Sequence, residues 1–165
     1  MRKVFYLIVA LMLIAFIGDA QDLESIKQLT LFRKNKDAKT QIDKALQSEK
    51  TAKKAESWML KSTIYSNLAA DSSITKEQAA TFQTEAANAL KKYMELDASN
   101  NLFTDPVYAG TAGSIYGNYY NVGIKHFNTK EWELAYEGFK NASEISDILI
   151  KHKIASMALD TNALL

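Results

Sequence analysis

Four of the chain's six glycines fall within one short stretch, AGTAGSIYGNYYNVG, residues 109–123. Glycine-rich loops bind phosphate when backbone N–H groups can close around the anion. A dinucleotide loop needs G-x-G-x-x-G after a strand, and a P-loop needs G-x-x-x-x-G-K-[ST]. Gly110, Gly113 and Gly117 match neither pattern: no strand-like run precedes them and no lysine follows at the required place. Ser114 fails as the nucleophile of a G-x-S-x-G elbow, because Ala112 and Tyr116 stand where glycine is needed. On a single helix His126 lies about 18 Å from Ser114, too far to take its proton. The chain has two isolated histidines, no cysteine and no H-E-x-x-H, so no metal-ligand set emerges. Glu131 and Glu133 suit the start of a helix, and His152, between Lys151 and Lys153, suits the end of one, where the macrodipole favours those charges. Lys50, Lys53 and Lys54 read as a solvated face. The expectation is no catalytic residue, no metal and no cofactor.

The elements that would position these residues follow from composition. The chain has 165 residues, 47% of them apolar, with one proline and no cysteine. That describes one domain with a real core and long uninterrupted elements, without disulfides or a lipid-bearing cysteine. Met1-Arg2-Lys3 is a basic start, Val4 to Ile17 is an apolar run of fourteen, and Gly18-Asp19-Ala20 presents small residues for signal cleavage. A bilayer span needs roughly 20 apolar residues, so the run is too short for one. Residues 1–20 are therefore expected to be a cleaved signal peptide, and the mature chain to be periplasmic or secreted. The alternatives are an uncleaved anchor, the one route by which a membrane would be a partner, or a short segment buried in the core. Losing residues 1–20 removes Arg2, Lys3 and Asp19 and leaves the mature chain with equal numbers of bases and acids. Neutrality and export both argue against a nucleic-acid partner.

Residues 21–165 read as helix nearly throughout, rich in Ala, Leu, Lys, Glu and Gln with no sustained alternation. Helices are expected at about 23–34, 38–47, 53–70, 76–96, 106–127 and 131–151. Ser73 or Thr75 can cap the fourth. Asp105-Pro106 reads as an N-cap with proline at the first helical position. Asp160-Thr161-Asn162 reads as the start of a further helix.

The run YNVGIKHFNTKEWELAYEGFKNA has a bulky residue at Tyr119, Val122-Gly123 three positions on, then Ala135, Phe139 and Ala142 on the next helix. In this it resembles the tetratricopeptide (TPR) repeat, with His126 in place of a tyrosine and Asp147 in place of the closing proline. Two weaker copies accompany it. One holds Trp58, Ser62 and Tyr65, then Ala86, Leu90 and Tyr93; the other holds Ala38, Ile42 and Ala45. The resemblance implies an all-α fold, an α-solenoid of about three antiparallel helix pairs at about 23–47, 53–96 and 106–152. A further repeat would begin at residues 160–165. That start has no partner helix, as in a truncated chain, a fragment, or an array continued by self-association.

By the same resemblance the first helices of each pair line a groove for a protein or peptide. Its residues would be Met59, Thr63 and Asn67, with Glu56 and Ser66 beside them, and Gly117, Tyr120, Ile124, Phe127 and Asn128. Some relatives clamp a C-terminal carboxylate with groove lysines and asparagines, and Met59, Thr63, Tyr120 and Ile124 are neither. Tyr116, Tyr119 and Trp132 are expected in the core. Gly110, Gly113 and Gly117 share one side of their helix, and Gly123 lies on another, at the family's small packing site. Three glycines inside a helix cost up to roughly 3 kcal/mol against alanine. Close approach of the preceding helix is the expected reason, with a smooth groove floor as the other. The functional expectation is an exported interaction scaffold without catalysis. A helical glycan-binding module and an accessory subunit of an envelope enzyme complex are the alternatives.

Overall fold

The computed structural model describes residues 23–97, 99 and 101–153. The expected signal peptide at 1–20 and the helix start at 160–165 lie outside the described residues. Within them the chain is all-helical, with no strand. Helix α1 covers residues 23–31. It is followed by α2 Asn35–Ala45, the short α3 Glu49–Ala52, α4 Ala55–Ala69, α5 Lys76–Leu96, a 3-10 turn Asn101–Thr104, α6 Thr111–Asn128 and α7 Trp132–Lys151.

Local chemistry sets several of these limits. At the start of α5, Thr75 Oγ1 accepts from the Gln78 N–H at 3.3 Å, and Gln78 Oε1 accepts from the Thr75 N–H at 3.4 Å. Such a reciprocal cap is worth about 1 kcal/mol. Asp105 behaves otherwise than expected. Its Oδ1 accepts from the Val107 N–H at 2.8 Å, and its carbonyl accepts from Tyr108 and Ala109. That closes a separate turn, so α6 begins at Thr111 rather than at Pro106, and Gly110 is its N-cap. The cause is tertiary: Tyr108 is fully buried and its hydroxyl donates to Glu56 Oε1 at 3.1 Å.

The helices pack as hairpins. Between α4 and α5, Lys61 Nζ reaches Glu85 at 2.7 Å, Ser62 Oγ donates to the Ala86 carbonyl at 2.9 Å, and the rings of Tyr65 and Phe82 stand 5.6 Å apart edge to face. From Ser62 to Tyr65 on α4 the partner on α5 falls back from Ala86 to Phe82, which is antiparallel pairing. The same holds between α6 and α7, where Gly123 meets Phe139 and Gly138, and Phe127 meets Trp132. The two hairpins lie side by side. Thr63 and Thr111 hydroxyls are 2.8 Å apart between α4 and α6, and Lys91 Nζ meets Glu144 at 2.7 Å between α5 and α7.

Helix α4 is the centre of the fold. It packs on α2, α5 and α6 and buries Met59, Leu60, Ile64 and Leu68. Each such side chain contributes about 1.5–3 kcal/mol by leaving water. Polar ties hold its neighbours in register. Tyr65 Oη donates to both carboxylate oxygens of Asp43 on α2, at 2.7 and 2.8 Å. Lys27 on α1 donates to Glu56 at 3.0 Å, on the same oxygen that Tyr108 uses.

Candidate functional site

The residues expected to form one groove occupy two places, and one of them is excluded outright. Met59 is 0% exposed, because α4 is covered on three sides, so it lines no groove. Ser66 is buried as well, and Glu56 is engaged by Lys27 and Tyr108. Thr63 is nearly buried but borders, with Asn67, a polar cavity of about 670 Å³ between α1, α4 and the start of α6, where Gly110, Thr111 and Ser114 also lie. Gly117, Tyr120, Ile124, Phe127 and Asn128 do not line that cavity. Gly117 and Tyr120 are half-buried and Ile124, Phe127 and Asn128 are exposed.

Gly110, Gly113 and Gly117 also have a different basis from the expected one. A Cβ built on any of them meets nothing within 4 Å. Each has room for a side chain, so close packing is not why they are glycine. Gly123 behaves as expected: its Cβ would stand 2.6 Å from the Phe139 ring.

The second place is the free end of the α6–α7 hairpin. There the end of α4 at Ala69 and the start of α5 at Lys76 share a cleft with α6 from Asn118 to His126 and with Leu134 of α7. Phe127 and Trp132 pair edge to face at 5.5 Å and remain 52% and 58% exposed. Trp132 was expected in the core; on the first turn of α7 it pairs with Phe127 and stays exposed instead. Ile124, Leu134, Tyr136 and Val122 are exposed on the same two helices. Tyr120 stacks on Tyr116 at 5.9 Å and leans on Phe139, so it supports this surface from below.

The turn that carries this end is held by polar side chains. Thr129 Oγ1 lies within hydrogen-bond distance of the Lys125 and His126 carbonyls and of the Glu131 carboxylate, any one of which can take its proton, and His126 Nδ1 lies 2.8 Å from the same carboxylate oxygen. Thr129 first and His126 second hold the Glu131 carboxyl below its ordinary range.

Sequence reasoning missed a third feature, a cleft of about 610 Å³ between α5 and the α6–α7 hairpin. Four carboxamides line it: Gln83, Asn118, Asn121 and Asn141. Gln83 is buried; its Nε2 donates to the Ile115 carbonyl at 2.8 Å, and its Oε1 accepts from Asn118 Nδ2 at 3.1 Å. The Asn118–Asn121 spacing on α6 was the available signal, but the four residues span three helices.

Ser114 and His126 sit on one helix, twelve residues apart. His152 was expected to serve the dipole of α7. Instead its ring stacks on Phe103 at 5.7 Å, and burial, then Lys151, pushes its pKa below the ordinary value, which favours the neutral ring. Among the described residues no group of His, Asp or Glu could hold a metal ion, and no helix is long and apolar enough to cross a membrane. Comparison with protein-family models, with curated proteins and with solved structures finds no match to this chain.

Proposed function

We propose that this chain is an exported, TPR-like helical scaffold that binds another protein and performs no chemistry itself. One observation carries the reading. Of the nine large apolar side chains exposed among the described residues, six lie on the α6–α7 hairpin. Apolar clusters left in water usually mark contacts. The hairpin order and the close contact of Gly123 with Phe139, at the repeat's small and aromatic positions, support the TPR-like reading. The basic start and apolar run at residues 1–20 support export.

The test is chemical cross-linking in the native envelope followed by affinity recovery, comparing the natural chain with a Phe127→Ser, Trp132→Ser variant. Both rings are more than half exposed, so the variant should keep its helical circular dichroism and melting. Loss of a specific cross-linked partner is the expected result. A partner set unchanged by the double substitution would remove this surface from the reading.

A further inference from the structure

We infer that the cleft between α5 and the α6–α7 hairpin binds an extended polypeptide segment in which an acidic residue neighbours an apolar one; this rests on the scaffold reading above. A primary carboxamide presents one acceptor and two donors in a plane, the complement of a main-chain N–H and C=O. Among the described residues, Asn121 and Asn141 have no hydrogen-bond partner. Asn118 is oriented in advance. The Ile115 carbonyl can only accept, so Gln83 turns its NH2 to Ile115 and its oxygen to Asn118. Asn118 must then give an N–H to Gln83, which leaves its Oδ1 as an acceptor.

The occupant's other features follow from what surrounds these amides. Val122 and Leu134, exposed in the same cleft, suit an apolar side chain. Lys76 and Lys125 line it too, and neither forms an ion pair among the described residues, whereas Glu137 is the only acid lining it. Their excess of positive charge favours an acidic neighbour. A helix satisfies its own backbone groups and would leave the carboxamides without main-chain partners; an extended segment would not. A sugar would want an open ring face, and Tyr119, the aromatic residue of the cleft, is half-buried against the core. A cavity of about 610 Å³ is of the size that encloses a few residues of ligand.

The experiment selects short random peptides displayed on phage against the full chain, then titrates synthetic peptides by fluorescence anisotropy. Selected peptides should pair Asp or Glu with an apolar residue. An Asn121→Ala, Asn141→Ala variant should bind them about tenfold or more weakly with its melting unchanged, and N-methylation of a central peptide amide should weaken binding similarly. Side-chain-only recognition would not respond to N-methylation, and that indifference overturns the inference. Peptides that ignore the asparagine variant but lose binding in the Phe127→Ser, Trp132→Ser variant also overturn it, while leaving the scaffold reading intact. Failure to select any peptide overturns it too, as does calorimetric binding of oligosaccharides, or self-association, that the asparagine variant abolishes. If cross-linking in the envelope also captures nothing specific, the scaffold reading fails with it.

Discussion

Gly138 on α7 lies so close to Gly123 on α6 that a Cβ placed on Gly138 would stand 2.6 Å from the Gly123 nitrogen and 2.7 Å from its Cα. The two helices cross backbone to backbone, and neither side of the crossing has room for a methyl group. Gly138→Ala would press on main chain, which cannot swing aside. Gly123→Ala would press on the Phe139 ring, at 2.6 Å. Each should destabilise by about 1–3 kcal/mol, with Gly138→Ala the worse. Urea denaturation checks this, and a Gly138→Ala midpoint equal to the natural one would mean the helices are further apart than described.

Gly113 should respond in the opposite sense. It sits inside α6, and a Cβ there meets nothing. Gly113→Ala should therefore raise stability by up to about 1 kcal/mol through backbone entropy alone. If melting rises while cross-linking to a partner falls, the glycine is there for the partner's close approach. If both are unaffected or improve, the glycine has no contact role.

These two glycines show what could be read before the structure and what could not. Gly123 was legible because its role is set by residues near in sequence: the hairpin brings Phe139 to it, and Tyr119, Ala135 and Ala142 share the same spacing. The limits of α5 were legible for a similar reason, since Thr75 and Gln78 form a local cap. The start of α6 was not. Tyr108 is drawn to Glu56, 52 residues earlier in the chain, and no local pattern announces it. Met59 was misassigned because a register argument places a side chain on a helix face but does not say how many neighbours cover that face. The carboxamide cleft escaped notice because its four residues come together only when α5 lies against α6 and α7.

The turn between α6 and α7 contains removable strain. Lys130 has φ 61°, in the left-handed region that residues with a Cβ disfavour. The conformation is imposed by the end of α6, where the Lys130 N–H donates to the Phe127 carbonyl and the Glu131 N–H to the His126 carbonyl. Glycine adopts this geometry freely. Lys130→Gly should raise stability by about 1 kcal/mol. Since Lys130 is exposed and outside the cleft, peptide binding there should be unchanged. A lower melting temperature would show that the lysine has a contact worth more than the strain.

Alkaline pH should unfold the chain through its buried tyrosines. Burial and then the Asp43 hydrogen bond push the Tyr65 phenol above its ordinary range, and burial and then Glu56 do the same to Tyr108. Tyr93 is pushed up to about 12, mainly by burial, with the Leu102 N–H opposing and Asp97 adding to the rise. Lys27 is raised as well, chiefly by its hydrogen bond to Glu56. Every one of these groups has a folded pKa above its unfolded value. Their contribution is therefore fully present below pH about 10 and is lost as pH climbs through the folded values. Helical circular dichroism should hold steady to about pH 10 and collapse cooperatively above it. Phenolate absorbance from these buried rings should rise only as the helices melt. A single phenolate step near the ordinary tyrosine value, with the helices still intact, would show that Tyr65, Tyr93 and Tyr108 are not held between α2, α4, α5 and the turn before α6.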